Sequence, residues 1–165
     1  PTVEAAFAGH PVEGEYVVRG EDLQSAYEEI CDDGEGKVEL VSLGCPHYDI
    51  HQIKEVADYI CGKKIHDGVR FMVWTVYPIK AMADLNGYTK TIEEAGGHIF
   101  TSTCPTTIGK DFLDRYQGHV YDSFKQQGSV RSDLTGENRV YFTDQRHCID
   151  AAVAGEWREE FRWKK

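Results

Sequence analysis

The stretch KVELVSLGCPHYDIHQIKEVADYICG, residues 37–62, decides the fold. Its first seven residues are rich in β-branched side chains and read as a buried strand. Gly44 stops that strand, and the Cys45-Pro46 pair follows at once, a proline that keeps the cysteine out of helix. Asp49 then makes an N-cap. Ile50, Ile53, Ala57, Ile60 and Cys61 fall on one face of a helix that Gly62 stops. A strand passing through a short turn into an amphipathic helix is the first half of a parallel crossover unit.

The same unit recurs on both sides. Upstream, Leu23, Ala26, Tyr27 and Ile30 space a helix from Glu21 that ends near Cys31 and is broken by DDGEG, residues 32–36. Downstream, VRFMVWTV (69–76) is an almost unbroken apolar strand of the kind buried on both faces. Pro78 stands in the first turn of the next helix, IKAMADL, and Asn86-Gly87 separates it from YTKTIEEA, which Gly96-Gly97 closes. HIFTST (98–103) is a third strand, again running into cysteine and proline at Cys104-Pro105. Beyond it, residues 107–117 read as helical, HVYDS (119–123) as a short strand and GSVRSDLTGEN (128–138) as a loop. RVYFT (139–143) is a last strand, and Thr143 is expected to cap a closing helix that ends at Gly155. The expected architecture is α/β: a three-layer domain over residues 21–157 with a mainly parallel sheet. Residues 1–20 are a lead-in or linker, and 158–165 a charged C-terminal tail.

With 18 basic and 28 acidic residues the net charge is -10, and no basic run exceeds two residues. Nucleic acid and anionic membranes are therefore excluded as partners, since phosphates attract stripes of lysine and arginine. No apolar run approaches the ~20 residues that span a bilayer, and PTVEAAFAGHP does not resemble a leader peptide, so a cytoplasmic location is expected. The five cysteines, at 31, 45, 61, 104 and 148, are odd in number and form no CxxC pair, which suits a reducing compartment. Cys31, Cys61 and Cys148 read as core.

Cys45 and Cys104 differ from these, because both stand where a parallel strand ends, the side of an open sheet on which ligands bind. Three roles are open to them. They are small apolar fillers; or Cys45 holds zinc with His47 and His51, against which Pro46 and the Asp49 cap place His47 outside the helix. In the third, they ligate an iron–sulfur cluster or mononuclear iron across the 58 residues between them.

The local strings resemble the aconitase X family. ELVSLGCPH (39–47), HDGVRFMVWT (66–75), GYTKTIEEAGGHIFTSTC (87–104), VYDSFK (120–125) and VYFTDQRHCIDAAVAGEW (140–157) resemble that family's segments in order. The resemblance covers roughly residues 36 to 157 and implies an aconitase-like fold. It further implies part of an iron-dependent hydro-lyase that dehydrates a small hydroxy acid, of the cis-3-hydroxy-L-proline or phosphomevalonate dehydratase type. On it, Cys45 and Cys104 map to two of three iron ligands. Ser123, Lys125 and His47 become candidate substrate contacts, Lys125 offering a cation to a carboxylate or phosphate. The partners implied are an anionic hydroxy acid, the remaining N-terminal part of the catalytic subunit, and a small swivelling domain or subunit. The family's Thr-Ser-Arg-like turn is replaced here by Thr75–Pro78, so an anion-binding arginine is missing there. That departure keeps a second class open, a non-catalytic α/β binding module or degenerate paralogue.

Overall fold

The computed structural model describes residues 2–134 and 137–163. A minor antiparallel pair joins β1 (Gly36–Lys37) to β7 (Glu156–Trp157). The main sheet is wholly parallel and holds β2 (Leu40–Tyr48), β3 (Arg70–Thr75), β4 (His98–Thr101), β5 (Gly118–Tyr121) and β6 (Arg139–Phe142). Its order is β4-β3-β2-β5-β6. The helices are α1 (Val3–Phe7), α2 (Gly20–Ile30), α3 (Ile50–Ile60), α4 (Tyr77–Leu85), α5 (Tyr88–Glu94), α6 (Pro105–Ile108), α7 (Lys110–Leu113), α8 (Phe124–Asp133) and α9 (Gln145–Ala154).

The strand alternation builds the three layers directly. Val41, Leu43, Phe71, Val73 and Val120 face one core, which Ile53, Val56 and Ile60 of α3, Ile92 of α5 and Ile149 of α9 complete. Leu40, Met72, Trp74, Tyr121 and Val140 face the other, closed by Leu113 of α7 and Val130 of α8. Both faces are thus apolar, as the nearly continuous hydrophobic runs require.

The topology also selects one place on the sheet. From β2 the chain builds outward to β3 and β4, then returns to lay β5 and β6 on the opposite side of β2. The reversal point lies between the C-terminal ends of β2 and β5, where open α/β sheets leave a crevice.

Several local expectations need correction. Cys61 is exposed: α3 ends at Ile60, the backbone turns away at Cys61, and Val56 completes the buried face instead. The closing helix is capped by Asp144, which accepts from the N–H groups of Arg146 and His147 at 2.9 and 3.1 Å. Thr143 is buried and donates to the Phe161 carbonyl instead. Residues 128–133 are not loop but the second half of α8, whose buried side is Gln126, Gln127 and Val130; Thr135 and Gly136 lie outside the described residues. In place of one helix over 107–117 there are two four-residue helices, over 105–108 and 110–113, parted at Gly109, and 114–117 are not helical. The segment after 157 is charged but not a free tail, because Phe161 is buried and Trp163 packs on Tyr27; Lys164 and Lys165 lie outside the described residues. The lead-in contains the short helix α1, and its residues up to Val18 are exposed.

Candidate functional site

The site is built by a bulge at the end of β2. Leu43 pairs with Val73, and the next pair is Tyr48 with Thr75. The chain thus advances five residues on β2 (43 to 48) against two on β3 (73 to 75). Four residues, Gly44-Cys45-Pro46-His47, stand against the single residue Trp74 and bulge out of the ladder just before its last pair. Gly44 makes the departure possible. Its φ is +101°, and a Cβ there would lie 2.4 Å from the Trp74 carbonyl oxygen. The Cys45–Pro46 peptide bond is cis.

Three neighbouring strands fasten the bulge. On the β3 side, Thr75 Oγ1 donates to the Tyr48 carbonyl at 2.6 Å. From the far side of β3, the Thr103 carbonyl, one residue before Cys104, pairs with His47 Nε2 at 2.9 Å. From β5, the Asp122 carboxylate takes the Gly44 N–H at 3.3 Å through Oδ1 and the Tyr48 hydroxyl through Oδ2. Asp122 directly follows Tyr121, the residue paired with Ser42 on β2, so the carboxylate stands at the reversal point itself.

The two candidate thiols are therefore not independent. One strand separates β2 from β4, a spacing of roughly 10 Å, and the His47–Thr103 bond spans it. Both thiols are partly buried. Cys104 lies three residues past β4 and is the N-cap of α6. Partial burial pushes its thiol up, but hydrogen bonding from Thr107 and Thr106 outweighs this and leaves it below its ordinary value. The three core readings for the other cysteines divide: Cys31 and Cys148 are buried, Cys61 is not.

Ser123 is buried and N-caps α8, its oxygen accepting from the Gln126 N–H at 3.2 Å. Lys125 is exposed on the first turn of the same helix. His47 is on the bulge and engaged with Thr103. His51 points from α3 into an exposed environment with its N–H bound to Asp49, and β2 runs to Tyr48. The helical face that would pair His47 with His51 for zinc does not exist. Among the described residues no group of three histidine, cysteine, aspartate or glutamate side chains is disposed to hold a metal ion.

Sequence reasoning passed over Asp122 and Tyr48, although both stand in the stretches that drew attention. Burial pushes Asp122 up to about 6, against the hydrogen bonds from Tyr48 and Gly44 that pull it down. Tyr48 is held well above its ordinary value, first by burial and then by the charge of Asp122. The available signal was a carboxylate immediately after a short apolar strand, with a helix starting two residues later.

Comparison with known proteins bears on the family and the fold. The cis-3-hydroxy-L-proline dehydratase of Pseudomonas aeruginosa is 24% identical over 155 residues, 94% of this chain and 27% of that protein. The phosphomevalonate dehydratase large subunit of Methanocaldococcus jannaschii is 38% identical over 84 residues, 51% of this chain and 20% of that subunit. The crystal structure of Thermococcus kodakaraensis aconitase X (holo-form) shares the fold, with a TM-score of 0.68 at 24% identity, over 87% of this chain and 36% of that one. The chain thus spans from 20 to 27% of the length of the two dehydratases. The model of the aconitase X third domain matches residues 38–154, from the first residues before β2 to the end of α9, and the chain belongs to that family.

Proposed function

We propose that this chain is the portion of an aconitase X hydro-lyase that supplies two thiolate ligands and one wall of the substrate crevice. The observation that carries the reading is the hydrogen bond from the His47 ring to the Thr103 carbonyl, which ties the Cys45 turn to the Cys104 turn across β3. In this reading Cys45 and Cys104 hold an iron centre, as a cluster or a single ion, whose remaining protein ligand comes from outside these residues. The donor chemistry fits such a centre in part: two partly buried thiols at strand ends, one of them lowered, suit iron, while a two-thiolate set alone is under-ligated. When bound, the iron supplies Lewis acidity toward a departing hydroxyl.

The chain's own residues do the rest of what is assigned here. Ser123, at the N-cap of α8, and Lys125, exposed on the first turn of the same helix, are the contacts proposed for the acidic end of a small hydroxy acid. His47 is assigned to orienting the same substrate from the bulge. The remainder of the catalytic subunit and a small swivelling domain or subunit are the proposed partners, and the isolated chain is expected to be inactive. A reducing, cytoplasmic setting follows from the need to keep both thiols free. Among the described residues no helix is long and apolar enough to cross a membrane.

The test is an anaerobic titration of the chain with ferrous iron, followed by thiolate-to-iron charge-transfer absorption. Cys45→Ser and Cys104→Ser are each expected to weaken binding about tenfold or more. Uptake unchanged in both variants would remove the metal assignment and favour a non-catalytic binding module. Dehydration of cis-3-hydroxy-L-proline or phosphomevalonate by the isolated chain would refute the requirement for the rest of the subunit.

A further inference from the structure

Asp122 makes the two hydrogen bonds that fix the start and the end of the β2 bulge. Its Oδ1 holds the N–H of Gly44, the last residue before Cys45; its Oδ2 holds the hydroxyl of Tyr48, the residue at which β2 rejoins the ladder. Tyr48 is itself 4% exposed, so its ring cannot swing away without opening the core. Between these two points the chain carries only Cys45, Pro46 and His47. A carboxylate that grips both ends of so short a span determines where the intervening side chains stand. It does so from β5, a strand that otherwise contributes only the helix cap Ser123 to the site.

We infer that Asp122 is a positioning residue: with Tyr48 it staples the Gly44–Tyr48 bulge and so fixes the direction of the Cys45 thiol and the His47 ring. Its relevance to an iron centre rests on the function proposed above, whereas the staple itself is a property of the metal-free chain. Three features separate it from an ordinary buried carboxylate. The partners are two ends of one bulge rather than two unrelated elements. One is a backbone donor whose residue cannot carry a side chain, because a Cβ on Gly44 would strike Trp74. And the other fastenings of the bulge, from Thr75 and Thr103, leave the N–H of Gly44 to Asp122.

The experiment measures the alkylation rate of each cysteine in the metal-free folded chain, resolved by peptide mass spectrometry. Buried Cys31, which reacts only when the domain opens, serves as the internal reference for global opening. Each lost hydrogen bond is expected to raise the Cys45 rate by about tenfold, the population shift that one such bond commands. Tyr48→Phe removes one bond and conserves the buried ring, so it remains informative if Asp122→Ala does not fold. Asp122→Asn keeps an acceptor for Gly44 and is expected to fall near Tyr48→Phe. Adding Tyr48→Phe to Asp122→Ala is expected to change little, because both act on one staple. The proposal is overturned if Cys45 reactivity is unchanged in Tyr48→Phe and Asp122→Ala, or if Cys31 accelerates in step with it. Failure of iron to bind leaves these rates readable and would count against the proposed function alone. Normal iron binding with unaltered Cys45 reactivity would count against the staple alone.

Discussion

Replacing Gly44 by alanine tests the geometry on which everything at the crevice depends. Two costs are separable. The first is conformational: at φ +101° an L side chain is disfavoured by about 1–2 kcal/mol. The second is steric, because the new methyl would lie 2.4 Å from the Trp74 carbonyl oxygen and 3.1 Å from the Trp74 nitrogen. Both atoms belong to the backbone of β3, which cannot yield without disturbing its pairing, so an overpacking cost of about 1–3 kcal/mol is added. The sum is roughly 2–5 kcal/mol, a large share of the stability of a single domain. Gly62 supplies the control, since its φ is +76° and a Cβ there meets nothing within 4 Å. Gly62→Ala carries only the first cost. Urea unfolding followed by tryptophan fluorescence measures both variants. With a slope of about 2 kcal/mol per molar, the Gly44→Ala midpoint is expected to fall by about 1–2.5 M and that of Gly62→Ala by about 0.5–1 M. Equal shifts in the two variants would refute the close approach of Gly44 to β3, and with it the bulge as described.

Two further outcomes follow from the buried polar groups beside the bulge. Trp74 Nε1 donates to Ser42 Oγ at 2.8 Å, and Ser42 is also turned to Gln126 Oε1 at 3.4 Å in the buried layer between the sheet and α8. Ser42→Ala leaves the indole donor unpaired and is expected to cost about 2 kcal/mol, with a loss under about 0.5 kcal/mol in urea unfolding counting against this link. Asp122 makes stability depend on pH with an unusual sign. Its carboxyl titrates at about 6 in the folded chain against an ordinary 3.8, so between those values the folded state keeps a proton that the unfolded state has lost. Stability therefore falls as pH rises through this window, by at most about 3 kcal/mol. Tyr48 and Cys148, the other titratable groups facing it, are held up by burial and stay neutral there. Asp122→Asn removes the effect, so unfolding curves of the two proteins that run parallel from about pH 4 to 7 would contradict it.

The strands and most helices were legible because both kinds of period were strong: a run at 40–43 broken only by Ser42, a continuous apolar run at 71–74, and a helical stripe through Ile53, Val56, Ala57 and Ile60. The errors came where propensity and packing disagree. Gly128 and Ser129 look like loop, yet α8 continues through them because Gln126, Gln127 and Val130 are buried against the rest of the domain. Thr143 and Asp144 are both good caps in sequence, and burial of Thr143 under Phe161 decided between them. At the site, Cys45, Cys104 and His47 could be singled out from residue chemistry and strand ends. Asp122 could not, since its importance lies in reaching a turn 78 residues earlier in the chain, and only the strand order brings them together.

That strand order also explains why the bulge sits where it does. A four-residue excursion inside a parallel sheet would strand the N–H and C=O groups of Gly44 to His47 between two apolar layers. At the end of β2 the excursion instead meets partners from both directions: Thr75 at the Tyr48 carbonyl and the Thr103 carbonyl at the His47 ring on the β3–β4 side, Asp122 at the Gly44 N–H and the Tyr48 hydroxyl on the β5 side. Only an interior strand has neighbours on both flanks, and β2 is the central strand of the five. Moving the bulge to an edge strand would lose one set of fastenings and leave Cys45 on a loop free to turn. The cysteine of the GCPH turn is therefore held by the position of its strand as much as by its own neighbours, and the bulge is fastened entirely from within this domain.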